Sequence, residues 1–337
     1  MEEIGIIGAG TWGTALGLLL HNNGHKVAVW SAFEEEAAKL RDTREHPHLS
    51  GVSLPEDMIF TASMEEAMAG KGLLVLSVPS IYVRSTAKRV APYLAQGQLV
   101  VNVAKGIEES TLLTLSQVIE EELPGARVAV LSGPSHAEEV SRGIPTTCVA
   151  GAAAEKEARK VQSVFMSPAF RVYTSPDVLG IELGGSLKNV IALAAGIADG
   201  LGYGDNTKAA LITRGIHEIC RLGMKMGGAF ETFSGLSGMG DLIVTCASVH
   251  SRNRRAGILI GKGYSVKEAM DEVNMVVEGV HSARAAWKLA EKYQVEMPIV
   301  EQVNQVLFAQ KSPKEAVREL MTRDKTSEMG TLSWKEP

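Results

Sequence analysis

Apolar residues in the first half of the chain come in short runs, each closed by a turn signal. Ile4–Ile7, Lys26–Trp30, Gly72–Pro79, Gln98–Val103, Arg127–Leu131, Ile144–Gly151 and Phe170–Thr174 read as buried strands. Between them lie stretches of helical spacing, among them Thr14–His21, with Ala15, Leu16, Leu18, Leu19 and Leu20, and Glu155–Phe165. Alternating strands and helices predict a mostly parallel, helix-covered sheet. Arg44–Pro55, with His46, Pro47, His48 and Gly51, reads as a solvated surface loop. Beyond Pro176 the strand-like runs nearly vanish. Glu182–Ala195 is a strongly apolar helix, and amphipathic helices follow to about Arg323.

The first turn carries the strongest motif. Gly8, Gly10 and Gly13 give the spacing G-x-G-x-x-G between a strand and a helix, the context a dinucleotide fingerprint requires. Gly8 allows the tight turn, Gly10 lets a pyrophosphate approach the backbone, and Gly13 lets helix and strand pack closely. The helix N-terminus offers free N–H groups to the phosphates. The fold class is therefore α/β: a doubly wound, Rossmann-like, mostly parallel sheet over 1–178, then an all-helical substrate and catalytic domain over 179–325. Residues 326–337 read as a loose tail.

Composition narrows the function. A chain of 337 residues suggests about two domains. A formal net charge of −5 gives no general attraction to nucleic acid or to anionic membrane. Cys148, Cys220 and Cys246 are far apart and show no metal spacing, so small buried residues are expected. No secretory signal opens the chain, and the most apolar stretch, Val190–Ala198, is too short to span a bilayer. A cytoplasmic protein is expected, with no nucleic acid, membrane insertion or metal.

Further chemistry sits at strand ends and on the apolar helix. Ser77, Pro79 and Lys105 follow buried strands, where doubly wound sheets bind ligands. Lys105 there is an ordinary surface lysine or an anion binder. Ser132–Ala137 is a strand-to-helix turn with Ser135 as cap, or a set of donors for a ligand oxygen. Lys188 has Gly184, Ile191 and Ala192 as helical neighbours. A lysine on such a face must find a partner, lower its pKa or snorkel to the surface. A lowered pKa would let it exchange a proton near neutral pH. Asp241, in the glycine-rich Leu236–Leu242, is a cap or the partner of a catalytic lysine. His250–Arg255 is a solvated helix start, or its forked arginine beside Ser251 and Asn253 holds a phosphate monoester.

Taken together, these motifs resemble the bacterial NAD(P)-dependent glycerol-3-phosphate dehydrogenases, from about Ile4 to Leu320. The likeness rests on Gly8–Gly13, Val103–Gly106, Leu131–Ala137, Glu182–Val190, Leu236–Leu242, Ser251–Asn253 and Val276–Gly279. It implies reduction of dihydroxyacetone phosphate to sn-glycerol 3-phosphate, the backbone precursor of glycerophospholipids. It implies Lys188 as the proton donor or acceptor, with Lys105 and Asp241 setting its charge environment. Lys105, Gly133, Ser135, Lys188, Asp241, Ser251, Arg252 and Asn253 would then meet the small phosphorylated substrate. Gly8, Gly10, Thr11, Trp12, Gly13, Lys105, Ala137, Arg252, Val276 and Glu278 would meet the cofactor, NAD or NADP. A homodimer stays open. So does a reductase of another small hydroxy acid on the same two-domain plan, or a nucleotide-sensing module with a degenerate site.

The residues after the second strand, Ser31-Ala32-Phe33, supply neither a ribose-binding acid nor a phosphate-binding arginine. Use of both cofactors with modest discrimination is expected. Removing the charge of Lys188 is expected to leave thermal stability unchanged or higher, because a buried charge disappears.

Overall fold

The computed structural model describes residues 1–328; the expected loose tail lies outside the described residues from 329 onward. Eight strands form one sheet: β1 (Glu3–Ile7), β2 (Lys26–Trp30), β3 (Ile59–Thr61), β4 (Leu73–Leu76), β5 (Leu99–Asn102), β6 (Arg127–Ser132), β7 (Thr146–Ala152) and β8 (Phe170–Ser175). Their order is β3-β2-β1-β4-β5-β6-β7-β8. Neighbours run parallel except β6 and β7.

Side-chain alternation explains why helices cover both faces. Ile4, Ile6, Val27, Val29, Leu73 and Val75 join one buried cluster, while Ile7, Trp30, Leu74 and Leu76 join another on the opposite face. The chain leaves β1 toward β2 and β3 on one side, then crosses to β4 on the other. That reversal opens a crevice at the carboxyl ends of β1 and β4, where such sheets place their ligands.

Two features depart from the sequence reading. Strand β3 was not anticipated: three residues, Ile-Phe-Thr, are too few to show a period, and pairing with β2 orders them. The segment 44–55 is not simply solvated. Leu49 and Val52 pack against Ala15, Leu18 and Ala137, and His46 is only 5% exposed.

After Ser175 no strand occurs among the described residues. The helical part is built around Val178–Gly200, capped by Asp177, whose carboxylate accepts the Gly180 N–H at 2.9 Å. It is long and apolar enough to cross a membrane by composition, unlike the shorter stretch seen in sequence. Yet 89% of its most apolar window is buried inside the protein, so it is the core of the second half. The helix Arg252–Gly261 crosses it almost backbone to backbone. A Cβ on Gly196 would lie 2.1 Å from the Arg254 carbonyl oxygen, and one on Gly257 2.3 Å from that of Leu193. Only glycine permits this approach, and it brings Asn253 onto Asn189, the residue after Lys188.

Candidate active site

The candidate dinucleotide cradle lies at the end of β1. Gly8 adopts φ +125°, and a Cβ there would meet the Ser77 carbonyl oxygen at 2.5 Å. At Gly13 a Cβ would stand 2.0 Å from the Gly8 oxygen, which enforces the close strand–helix packing the motif requires. A Cβ on Gly10 would meet nothing within 4 Å, so the space over the loop is open. The helix Thr11–Asn22 begins there with no side-chain cap, leaving its first-turn N–H groups without intrahelical partners. Two buried hydroxyls at this point, Thr11 Oγ1 and Ser77 Oγ, have no hydrogen-bond partner. Unmatched donors at a bare helix N-terminus, under open space, fit a pyrophosphate. Trp12 and Ala137, both expected at the cofactor, pack in the same small apolar cluster.

Charges gather beyond the end of β5, the strand beside β4. Asp241 is only 1% exposed and sits between two ammonium groups. Lys105 Nζ donates to its Oδ2 at 2.6 Å and to the Gly133 carbonyl at 3.0 Å. Lys188 Nζ donates to its Oδ1 and, at 2.6 Å, to Thr245 Oγ1. Burial alone would raise the Asp241 pKa; the charges and hydrogen bonds of Lys105 and Lys188 outweigh it and hold the carboxyl below its ordinary value. Burial pulls Lys188 down to about 8, with Asp241 opposing and Lys105 adding to the fall. Lys188 has therefore both found a partner and lowered its pKa; it does not snorkel.

The strand-end loops hold this cluster from the sheet side. Asn102, at the end of β5, pins Ala104 through its N–H at 3.1 Å and its carbonyl at 3.2 Å, which orients the loop carrying Lys105. The same Asn102 donates to Glu182 at 3.1 Å, and Glu182 also accepts from Ser116 N at 2.9 Å and Ser116 Oγ at 2.5 Å. Ser186 donates to the Gly106 carbonyl at 2.9 Å. Residues two and six positions before Lys188 thus tie its helix to the Lys105 loop. Burial pushes the Glu182 carboxyl up.

Gly133, at φ +142°, turns its carbonyl to both Lys105 and Ser135. Ser135 does not cap the next helix: its hydroxyl bonds the Gly133 carbonyl at 2.9 Å, and His136 occupies the cap position. Ser251 caps Arg252–Gly261 by accepting from Arg254 N at 3.2 Å. The amide of Asn253 is committed to Asn189 and to the Gly279 N–H, both at 2.8 Å. Arg254 pairs with Asp199 at 2.7 Å, whereas half-buried Arg252 meets no carboxylate among the described residues. Val276 is half-buried, and Glu278 accepts the Ser80 N–H at 3.0 Å and the Ser80 hydroxyl.

Sequence reasoning missed Thr245 and His136. Thr245 lies four residues after Asp241 on the helix Asp241–Ala247, and that spacing was the available signal. His136 has a buried Nε2 without a partner, and its pKa is lowered by burial and then by Lys188. Its ring lies 5.9 Å from that of His250, a pairing no local pattern shows. The three cysteines are buried, as expected.

Comparison with known proteins agrees with this geometry. Residues 3–158 match the N-terminus model, and 177–318 the C-terminus model, of NAD-dependent glycerol-3-phosphate dehydrogenase. The chain is 62% identical to the glycerol-3-phosphate dehydrogenase (NAD(P)+) of Agathobacter rectalis over 336 residues, covering 99% of this chain and 100% of that one. It is 58% identical to that of Fusobacterium nucleatum, again over 99% and 100% of the two chains. The solved glycerol-3-phosphate dehydrogenase of Coxiella burnetii superposes with a TM-score of 0.92 at 35% identity, covering 96% of this chain and 99% of that one. The chain therefore belongs to the NAD-dependent glycerol-3-phosphate dehydrogenase family.

Proposed function

We propose that the protein catalyses the reversible reduction of dihydroxyacetone phosphate to sn-glycerol 3-phosphate with a nicotinamide dinucleotide. The observation that carries this reading is one buried carboxylate, Asp241, flanked by Lys188 and by Lys105, which follows β5, the strand beside β4 in the sheet whose β1 end carries the glycine loop. We assign the dinucleotide mainly to residues 1–178 and the chemistry of the substrate mainly to 179–325. When bound, the nicotinamide supplies hydride to the carbonyl carbon. The carbonyl oxygen gains the electron pair of the broken π bond and needs a proton. Lys188 donates one from Nζ and is left as the neutral amine, a transfer made easier by a pKa near 8. Lys105 adds positive charge beside that oxygen, and Asp241 keeps both amines aimed and charged. Thr245 fixes the Lys188 ammonium from a third direction. Arg252, with no carboxylate partner among the described residues, holds the phosphate end of the substrate.

Loss of reduced-nicotinamide absorbance on adding dihydroxyacetone phosphate tests the reaction. No loss with either cofactor overturns it. Unphosphorylated dihydroxyacetone should react far worse, which separates this enzyme from a reductase of carboxylate substrates.

Arg252→Ala should raise KM for dihydroxyacetone phosphate, with a loss of about 2–3 kcal/mol in kcat/KM. Arg252→Lys should recover only part, because an ammonium lacks the planar fork. Steady-state kinetics on both variants checks this; parental values in both would reduce Arg252 to a solvated helix residue.

The Lys188 pKa sets opposite pH limbs for the two directions. Reduction needs the ammonium, so its kcat should fall as pH rises through about 8. Oxidation needs the neutral amine, so its kcat should rise through the same value. Profiles flat in both directions across this range would remove Lys188 from the proton transfer.

A further inference from the structure

The sequence shows no acid directly after β2, but the fold brings one back. Ser31, the residue after Trp30, is 1% exposed and fixed by its N–H to the Thr61 carbonyl at 2.9 Å. Its hydroxyl accepts the Phe33 N–H at 3.0 Å and donates to the carboxylate of Glu36. Glu36 lies in the first turn of the helix Glu34–Thr43 and is half-buried against the strand end. From the other side comes buried His46, near enough to Ala9, inside the glycine loop, and to Glu36 for both to oppose the fall that burial imposes on its pKa. Ser31, Glu36, His46 and Ala9 thus line one wall running from the end of β2 to the phosphate cradle.

Among the described residues no cation is paired with Glu36. His46 Nδ1 accepts the His48 N–H at 3.2 Å, which needs an unprotonated Nδ1, and burial pulls its pKa down. Arg41 reaches back to Glu34 at 3.5 Å and the Phe60 carbonyl at 3.4 Å. Arg44 donates to the carbonyls of Pro55 and Met58 at 3.1 and 2.8 Å. Lys39 is exposed on the same helix and makes no bond to Glu36 among the described residues.

We propose that Glu36, held at the end of β2 by Ser31, is the specificity-determining acid of the adenosine ribose and makes the protein prefer NAD(H) to NADP(H). The inference rests on the function proposed above, in which Gly8–Gly13 receives the pyrophosphate. A carboxylate in this place accepts hydrogen bonds from the ribose hydroxyls. A 2′-phosphate would bring about two negative charges against it, and no cation is paired with that carboxylate among the described residues. The sequence position explains why the acid was not recognised. Glu36 lies five residues beyond Ser31, and only the turn at Ala32–Phe33 folds it back.

The test titrates the full-length protein with NADH and NADPH separately, following nicotinamide fluorescence in the absence of substrate. NADH should bind at least about tenfold more tightly. Glu36→Gln keeps the shape and the Ser31 hydrogen bond but removes the charge. In it the ratio should fall to within about threefold, with an unchanged melting curve. Equal or tighter binding of NADPH by the parent overturns the inference, as does an unchanged ratio in Glu36→Gln. Binding of neither coenzyme overturns the dinucleotide reading itself, and the inference with it.

Discussion

Lys188→Met should lower kcat at least about a hundredfold, because general acid catalysis contributes typically 10²–10⁴-fold. Methionine keeps the stem of the side chain and removes the proton and the charge. Cofactor binding should persist, since the cradle is made by residues at the ends of β1 and β4, away from the helix that carries Lys188. Thermal stability should move against the sequence-based expectation. That expectation treats the buried lysine as idle, so that its removal relieves the core. In the structure Lys188 is one of two cations on a carboxylate only 1% exposed, and it also bonds Thr245. Its loss leaves Asp241 with Lys105 alone, so the melting temperature should fall. The measurements are kcat, an NADH titration and a melting curve on one preparation. Turnover within about tenfold of the parent would show that the proton comes from elsewhere, Lys105 or a water.

Asp241→Asn should be the most damaging single change to both stability and chemistry. It leaves Lys105 and Lys188 facing each other across a neutral amide in a buried site. Breaking a buried pair by removing one partner costs about 3–5 kcal/mol, far more than an exposed pair. The sign of the effect on Lys188 follows from what acts on it. Burial and Lys105 lower its pKa, and Asp241 opposes them. Without Asp241 the ammonium should lose its proton at lower pH, so the alkaline limb of reduction should move below about 8. The stability deficit should depend on pH as well. Asp241 has a depressed pKa in the folded protein, so its contribution is present above the ordinary aspartate value of 3.8 and lost as pH falls through the folded one. The gap between parent and variant should therefore narrow on strong acidification. Denaturant melts at neutral and acidic pH, with the pH profile of kcat, check all three points. An Asn variant with parental stability and an unmoved limb would show that the two lysines do not depend on Asp241.

What the sequence determined by itself is everything that repeats over a few residues. Ile4–Ile7 and Gly72–Pro79 read as strands because alternate side chains must enter opposite clusters. The glycine spacing marked the tight strand-to-helix turn because Gly8 and Gly13 answer local steric demands. The apolar surroundings of Lys188 announced that its charge needed an explanation. Which explanation holds was a tertiary matter. Asp241 lies 53 residues from Lys188 and 136 from Lys105 along the chain, and no periodicity spans such distances. The lysine pKa depends on burial supplied by helices packed from elsewhere, so it did not exist as a property until the fold closed. The same holds for Ser135, whose hydroxyl turned to a carbonyl rather than a helix end, and for β3, which is ordered by its neighbour rather than by its own three residues. Glu36 shows the division most plainly: its identity was in the sequence, but its place beside the ribose-binding wall comes from a hydrogen bond to Ser31 and a histidine brought in by a loop. Short-range patterning builds the elements; the distances between charges, and with them the acid–base chemistry, belong to the packing of those elements.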